Sequence, residues 1–469
     1  MPSTRALLGE YKPDLPPFLS DNLTAARNVY ASANGYKPVK GPSEIAEALP
    51  GTFRGGGSFV ASDGTARLIA GDGTSLYSLS GGTWTGLIGS LTVSTFWQFA
   101  QFGNDVIAVN GGAPVSVDLS LNTAGALAGS PPTADLVAVT GDFVVLGRTD
   151  GNVLEVSWSD QGDAEDWSSG FAGSQPLYTG GKIMGLAGGE YVLILQRFSM
   201  TRMTFTGDVA SPFQFDTIST NYGCAAEKSV AQAGDLVFCW SDRGFIQIQA
   251  GGITPIGSEK VDRTFRETYS LSDLANMWSC VDPERTLVLW VMPGRVWCYN
   301  WALGKWTDWA LSITAAFSSF SANTTLEELD ALYGDLDSIP YSLDDPRFQG
   351  GDPRLTIVGH DGPFSVLAGD NLEASFGLPH IEPAQGRTAR VRTARPLTDA
   401  TSGITLTLYY SQRLGNDPTG VIYQELRDNG DMPVRVAGRY IRPEMVIEAG
   451  TVWSYAQGLE LSYEGGGRR

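Results

Sequence analysis

The sequence predicts an all-β protein with a roughly six-bladed β-propeller, an acidic helix-containing insert and a C-terminal β-sandwich-like domain. The propeller is indicated by an internal repeat, by its spacing and by its turns. Each copy has a turn residue, a strongly apolar run, a short turn and a second run in which apolar and polar residues alternate. The copies begin at Gly64, Gly103, Gly141, Gly189, Gly234 and Pro283. Their starts lie 38 to 49 residues apart, which is typical of four-stranded propeller blades.

The two runs of each copy predict different positions within a blade. The first run is apolar on both faces, as expected for a strand between neighbouring blades, and the second alternates, as expected nearer the rim. The turns "TDGN" at Thr149 and "PG" at Pro293 supply the positive-φ positions that hairpins need. Eleven of the twelve Trp lie between Trp84 and Trp309, where large aromatic side chains are expected to pack between sheets. We therefore expect the propeller to span residues 55–315.

Residues 1–54 form an N-terminal arm before the first copy. The part from Leu7 to Pro42 has prolines at 13, 16, 17, 38 and 42 and little periodicity. Its stretch "LTAARNVYAS" predicts either a strand or a helical turn. Such a segment could complete a blade or reach a neighbouring subunit, and the sequence leaves both open.

Residues 316–353 form the acidic insert. Thr325 and Glu328 have the spacing of a capping box, and apolar residues follow at helical intervals, which predicts a helix of two to three turns. A proline-interrupted strap, "DLDSIPYSLDDP", continues from it. Four carboxylates of this strap are candidates for lining a channel or docking on a neighbouring subunit: Asp335, Asp337, Asp344 and Asp345.

Residues 354–464 contain longer strands with a turn every ten or so residues, which is typical of a β-sandwich. The last residues, 465–469, are expected to be disordered. One stretch, "GRTARVRTARP", is rich in arginine and contains Arg387, Arg390, Arg392 and Arg395. Two interpretations stay open: an edge strand protected by its charge against wrong pairing, or a protein-contact strip for an acidic neighbour.

The charge balance limits the partners that the chain can bind. Lys plus Arg is 32 and Asp plus Glu is 51, which gives a net charge of −19. Such a chain is not expected to bind nucleic acid by releasing counterions from phosphates. Glu10 and Asp14 interrupt the N-terminus where a secretory signal would be apolar, and no window is long enough to span a membrane. We expect maturation in the cytoplasm.

The sequence offers little support for catalysis, a metal or another cofactor. The four Cys lack the pair spacing of a zinc site and are expected to be buried thiols. His360 and His380 are expected to be turn residues. Asp163, Glu165 and Asp166 lie in "SWSDQGDAEDW", an imperfect match to the aspartate box of sugar-processing propellers, and are most simply a solvated turn. The expectation is a non-enzymatic protein; a carbohydrate-binding or glycoside-cleaving propeller is the alternative.

Three stretches together resemble one family. They are the opening "LGEYKPDLPPFLSDNLTAARNVYASANGYKPVKGP", the central "TLEELDALYGDLDSIPYSLDDPRFQGG" and the closing "GRYIRPEMVIEAGTVWSYAQGLELSYEGG". In this order they are similar to the tail nozzle of short-tailed double-stranded DNA bacteriophages, also described as the packaged-DNA stabilisation or hub protein.

This resemblance implies a structural virion protein. It would form a homo-hexamer below the portal and its adaptor ring, extend the DNA channel and retain the packaged DNA. Tail fibres or spikes and a needle or plug would attach to it. Double-stranded DNA would pass through the lumen without specific binding, which suits an acidic chain, because a carboxylate repels phosphate over about 8 Å at physiological salt. The resemblance places the protein in the virion tail, after assembly in the bacterial cytoplasm.

Overall fold

A computed structural model describes residues 2–18, 21–92, 95–250, 252–320, 353–414 and 418–465. Almost all of its regular structure is β-strand. The arm contributes five strands: β1 (Ser3–Leu7), β2 (Ala25–Arg27), β3 (Val29–Ser32), β4 (Gly35–Pro38) and β5 (Lys40–Ala46). No helix in the described ranges is long and apolar enough to cross a membrane.

Six four-stranded antiparallel units follow the arm in chain order, and each unit is one blade. Blade 1 consists of β6 (Gly55–Val60), β7 (Ala66–Gly71), β8 (Leu76–Ser80) and β9 (Thr83–Ile88). Blade 2 consists of β10 (Gln98–Phe102), β11 (Asp105–Val109), β12 (Val115–Asp118) and β13 (Thr123–Ala126). Blade 3 consists of β14 (Leu136–Thr140), β15 (Phe143–Gly147), β16 (Glu155–Trp158) and β17 (Gly173–Pro176). Blade 4 consists of β18 (Ile183–Ala187), β19 (Val192–Gln196), β20 (Met200–Asp208) and β21 (Ser211–Ser219). Blade 5 consists of β22 (Ala231–Ala233), β23 (Leu236–Ser241), β24 (Gly244–Gln249) and β25 (Gly252–Pro255). Blade 6 consists of β26 (Trp278–Asp282), β27 (Leu287–Met292), β28 (Arg295–Asn300) and β29 (Lys305–Trp309).

A seventh blade is assembled from distant parts of the chain. It joins β30 (Ile313–Phe320), β31 (Pro353–Gly359) and β32 (Phe364–Asn371) to the arm strand β5. The arm thus supplies the outermost strand, paired along β32 from Phe364 opposite Ala46 to Asn371 opposite Lys40. The predictions divided these strands differently: β5 lies in the predicted arm, β30 crosses from the predicted propeller into the predicted insert, and β31 and β32 lie almost wholly in the predicted sandwich.

The seven blades close into a ring. Seven separate clusters of buried apolar side chains are present among the described residues, one between each pair of consecutive blades. The closing cluster joins Leu68 and Ala70 of blade 1 to Phe317 and Phe364 of blade 7. The all-β propeller fold is confirmed, with seven blades where the repeat predicts roughly six. Blade 7 escaped the repeat because residues 321–352 interrupt it and β5 lies far upstream.

The first, strongly apolar run of the sequence repeat is buried in the structure, as predicted. These runs form the second strand of each blade, and β15, β19 and β27 are buried at every position. Each lies between two neighbouring blades, so both of its faces are covered. The tryptophans of blade 6 behave as expected, because Trp290, Trp306 and Trp309 are fully buried.

The remaining strands form a two-layer sandwich, as the turn spacing predicts. One layer contains β3, β4, β39 (Ala456–Gly465), β34 (Ala389–Thr398) and β37 (Met432–Gly438), with β1 paired to β39. The other contains β33 (Ala374–Gly377), β38 (Tyr440–Ile447), β35 (Ile404–Ser411) and β36 (Thr419–Tyr423). Residues such as Leu406, Val436 and Leu461 from both layers share one buried cluster.

The sandwich is not separated from the propeller. Strand β2 pairs with β33 on one side and in parallel with β29 of blade 6 on the other, so a single nine-stranded sheet runs through both parts. The buried cluster between blades 5 and 6 also continues into the sandwich. The two parts therefore fold as one body.

Two short helices in the connection between blades 5 and 6 were not predicted. They are α1 (Asp262–Thr268) and α2 (Leu271–Ala275). Helix α2 begins with a capping box of Ser270 and Asp273, a signal visible in "SLSD". Helix α1 has no cap of its own, and Asp14 of the arm supplies one: its carboxylate accepts from the Arg263 and Thr264 N–H groups, each at 2.8 Å, and from the Thr264 hydroxyl at 2.6 Å.

Asp14→Ala should destabilise the protein by about 1–2 kcal/mol, because it removes the acceptor of the partly buried donors in the first turn of α1. Urea denaturation followed by tryptophan fluorescence measures this change. Asp14→Asn keeps one acceptor oxygen and should lose less. Asp21→Ala, at an exposed position of the same arm, should change little. Equal stability of Asp14→Ala and wild type would contradict this account of α1.

Candidate functional site

The ring has two chemically different ends. At one end lie the turns between the first and second strands of each blade and those between the third and fourth. In blade 2, Asn104 lies in the first-to-second turn and Ser120 in the third-to-fourth turn. The Asn104 amide donates to the Ser120 hydroxyl, so the two kinds of turn lie at the same end. This end is called the acidic face below.

The acidic face carries carboxylates around its circumference. Exposed residues in the first-to-second turns are Asp63, Asp142, Glu190, Asp235 and Glu284. The long third-to-fourth turn of blade 3 adds Asp160, Asp163, Glu165 and Asp166. Among the described residues of these turns, Arg285 is the one basic residue, and it is paired with Asp282 at 2.8 Å. The potential at this end is therefore negative.

Residues 321–352 leave the propeller at the same end. Phe320 at the end of β30 pairs with Pro353 at the start of β31, so this segment replaces the first-to-second turn of blade 7. The candidates Asp335, Asp337, Asp344 and Asp345 lie outside the described residues.

Crowding of carboxylates is visible where two of them meet at the acidic face. Burial, with a further contribution from the charge of Asp118, raises the pKa of Asp105.

Asp166 behaves differently, because the Ser169 hydroxyl and the Ser168 and Ser169 N–H groups donate to it and lower its pKa. Asp166 thus forms the expected turn, and nothing in this contact set resembles a catalytic carboxylate pair.

At the opposite end, side chains meet across the ring axis. The Lys228 ammonium from the connection between blades 4 and 5 lies 3.4 Å from the centre of the Phe96 ring, which belongs to the connection between blades 1 and 2. Trp278 of blade 6 lies 6.0 Å from Phe96 and 5.7 Å from Phe53. We name Phe53, Phe96, Lys228 and Trp278 the central cap. They obstruct the axis of the propeller at this end.

An ion-pair network beside the central cap connects three consecutive blades. The buried Arg148 guanidinium lies 2.9 Å from the Asp135 carboxylate and 3.1 Å from that of Glu227. Lys182 contacts the other Glu227 oxygen. Burial alone would raise the pKa of Glu227, but Lys182 and Arg148 hold it below its ordinary value. The network ties blades 3, 4 and 5 together at this end.

The predicted arginine strip lies on the outer face of the sandwich. Arg390 and Arg395 are exposed on β34, and Arg387 precedes the strand. Strand β34 is not an edge strand, because it pairs with β37 on one side and β39 on the other. The edge-strand interpretation is therefore wrong.

Two of the four arginines are paired within the same sheet. The Arg392 guanidinium lies 3.0 Å from the Glu464 carboxylate, and that of Arg395 lies 2.9 Å from Asp431. Exposed pairs of this kind contribute little stability. Contact of the strip with an acidic neighbour remains a prediction, and such a neighbour would compete with these carboxylates.

The residues considered for catalysis or metal binding lie apart. His360 sits in the turn between β31 and β32, and His380 follows β33. All four Cys are buried and reduced, as expected. No group of three or more His, Cys, Asp or Glu in the described ranges is placed to hold a metal ion.

No protein-family model matches the chain, and no curated protein matches it. Among solved structures, it is similar to a chain of the mitotic checkpoint complex, with 11% identity over 72% of this chain and 98% of that chain and a TM-score of 0.44. It is also similar to BamB from Moraxella catarrhalis, with 12% identity, coverages of 78% and 97% and a TM-score of 0.36.

A third similar structure is the extracellular domain of the hybrid two component system BT4673 from B. thetaiotaomicron. The identity is 10% over 92% of this chain, with a TM-score of 0.41, and the chain spans 47% of that protein's length. Likenesses of this size give no information on function, ligand or partner.

Lys228→Met should stabilise the protein at pH 7. Burial lowers the pKa of Lys228 to about 8, so the charged form is costly in the folded state, although the Phe96 ring offsets part of this cost. The wild type loses this cost as the pH rises from about 8 towards 10.5, because the folded state releases the proton first. The advantage of the variant should therefore shrink over that range.

Urea denaturation at a series of pH values measures the effect. Lys228→Arg keeps the charge, so its stability should stay below that of Lys228→Met throughout the range. A Lys228→Met protein less stable than wild type at pH 7 would show that the cation–π contacts outweigh the cost of burial.

Proposed function

We propose that the chain is a structural protein of a virion tail: the nozzle or hub of a short-tailed double-stranded DNA bacteriophage. In this role six copies form a ring below the portal and its adaptor, extend the DNA channel and help to retain the packaged genome. Fibres or spikes and a terminal needle or plug attach to the same ring. The protein is assembled into the tail in the bacterial cytoplasm and performs no catalysis.

The observation that carries the proposal is the acidic face. Carboxylates such as Asp63, Asp142 and Asp235 surround this end without matching basic residues in the described turns. A conduit for DNA must enclose a polyanion without adhering to it. Exposed carboxylates repel phosphate within about a Debye length, roughly 8 Å at physiological salt, and a ring of copies multiplies the effect.

The positions of the resembling stretches support the same function. The opening and closing stretches are more than 400 residues apart in places, yet β3 and β4 of the first and β39 of the second lie in one layer of the sandwich. Leu8 N–H donates to the Gln457 carbonyl at 2.8 Å, and Tyr36 of β4 pairs with Ala456 of β39. The Tyr36 hydroxyl donates to the Gly9 carbonyl at 2.6 Å within the opening stretch. Two of the three resembling stretches are thus in contact, whereas the central stretch lies outside the described residues.

The architecture also suits a component that bears load between a capsid and a tail. The nine-stranded sheet carries hydrogen bonds from blade 6 through β2 into the sandwich. Asp14 and Lys260 fix the arm to the connection between blades 5 and 6, the Asp14 N–H donating to the Lys260 carbonyl at 3.1 Å. A body without a flexible joint transmits force instead of bending.

The axis of one propeller is not the proposed conduit. The central cap, with Lys228 only 3.4 Å from the Phe96 ring centre, obstructs that axis at one end. The DNA would instead pass along the common axis of several copies, with their acidic faces towards it.

Negative-stain electron microscopy of the chain mixed with portal and adaptor rings from the same genome tests the assembly. We expect an added ring with six-fold symmetry below the adaptor, and a monomer or loose oligomer without it. A chain that stays monomeric with the adaptor and leaves its rings unchanged would contradict the proposal.

Charge reversal tests the orientation of the acidic face. Particles assembled with Asp142→Lys, Glu190→Lys and Asp235→Lys together should eject DNA more slowly than wild type, because phosphates are then attracted to the wall of the conduit. The matched control is Glu47→Lys, Glu267→Lys and Asp361→Lys, three exposed positions at the opposite end. Equal ejection rates for the two triple variants would exclude this orientation.

A further inference from the structure

A cleft lies at the junction between the propeller and the sandwich. Its volume is about 450 Å³. Blades 6 and 7 and the sandwich all contribute to its lining, which comprises Tyr30, Lys37, Pro38, Val39, Lys40, Arg285, Trp309, Leu367, Asn371, Trp453, Ser454 and Tyr455. We name it the junction cleft. It exists because the chain crosses directly from β4 of the sandwich to β5 of blade 7.

Strand register places the polar residues of the junction cleft in facing pairs. Tyr30 on β3 lies opposite Lys37 on β4, and Lys40 on β5 lies opposite Asn371 on β32. Directly opposed residues of an antiparallel pair project to the same face. The two lysines are therefore held on either side of the crossing at Pro38 and Val39, and Val39 itself is buried.

The lining is cationic in an acidic protein. Lys37, Lys40 and Arg285 line the junction cleft, and no Asp or Glu does so among the described residues. Arg285 is held by Asp282 at 2.8 Å and Glu284 at 3.4 Å. Lys37 and Lys40 are exposed and form no ion pair within the described part of the chain. With a net charge of −19, two adjacent uncommitted lysines in a cleft favour an anionic ligand.

The other lining groups indicate a ring with hydroxyl groups. Tyr455 is 45% exposed and offers one aromatic ring, whereas Trp309 is 1% exposed and offers no free face for sandwiching a nucleobase. The Asn371 amide nitrogen already donates to the Thr451 carbonyl at 3.0 Å, which leaves its oxygen free to accept from a hydroxyl. One aromatic face combined with short polar acceptors suits a sugar ring.

A buried donor supports the same conclusion. Trp453 lines the junction cleft and is 4% exposed, yet its indole N–H has no acceptor among the described residues. A buried donor without a partner is costly, so a ligand oxygen that reached this nitrogen would stabilise the bound state. Sites of this kind are usually clefts of 300–1,000 Å³ with a few well-placed polar groups.

We propose that the junction cleft binds a sugar ring that carries an anionic group, either a carboxylate or a phosphate. Lys37 and Lys40 bind the anion, Tyr455 packs against the ring, and Asn371 accepts from a hydroxyl. The volume admits one or two rings. This site borders the acidic face at Arg285, and the proposal does not depend on the tail function.

Isothermal titration calorimetry of the full chain tests the proposal with glucuronic acid and glucose 6-phosphate, against glucose and inorganic phosphate as references. We expect saturable binding of at least one of the two anionic sugars at one site, and weaker binding as salt increases. The sugar that binds more tightly identifies the anionic group. Glucose and inorganic phosphate should each bind at least about tenfold more weakly, because each lacks one half of the recognised chemistry.

The variant Lys37→Gln with Lys40→Gln should weaken binding about tenfold or more without changing the fold, since both side chains are exposed. Lys305→Gln, on β29 of blade 6 but outside the junction cleft, is the matched control and should bind as wild type does. No saturable binding of either anionic sugar would overturn the proposal, as would equal affinity for inorganic phosphate or an unchanged affinity in the double lysine variant.

Discussion

The structure depends on hydrogen bonding between β5 and β32, two strands more than 300 residues apart in the chain. A ring of blades is stable only if the last interface forms, because each blade covers the apolar face of its neighbour. Here the arm closes blade 7, and blade 7 then covers both blade 6 and blade 1. The same crossing from β4 to β5 brings the sandwich against the propeller and creates the junction cleft. Ring closure and the junction cleft therefore both depend on the position of β5.

Charge is distributed by position in this fold. Turns at one end carry carboxylates with little compensation, whereas the other end pairs several of its charges, such as Arg148 with Asp135 and Glu227. The sandwich pairs its arginines with carboxylates of neighbouring strands. A chain with a large negative charge thus retains one strongly repulsive end and several neutralised surfaces. Only surfaces of the second kind can approach another protein closely without an electrostatic penalty.

Local patterns predicted the repeated part of the fold and failed where pairing is not local. The apolar runs from Gly64 to Pro283 correspond to blades 1 to 6, since each blade there is one continuous segment. Blade 7 and the bridge through β2 depend on partners hundreds of residues away, and the interior position of β34 depends on β37 and β39, which are not its neighbours in sequence; periodicity encodes none of these pairings. The Asp14 cap was missed for the same reason. Of the candidate site, the sequence predicted the arginines but neither the circle of turn carboxylates nor the junction cleft, because both arise from ring closure.

The parallel contact of β2 with β29 and the pairing of β1 with β39 have a consequence for biosynthesis. Both arm strands emerge from the ribosome long before their partners, so their backbone N–H and C=O groups lack these partners through most of translation. During that interval six blades can form in succession from local hairpins while the ring stays open. Nascent chains would therefore be most exposed to misassociation just before the final strands appear, when nearly all of the apolar surface is already ordered.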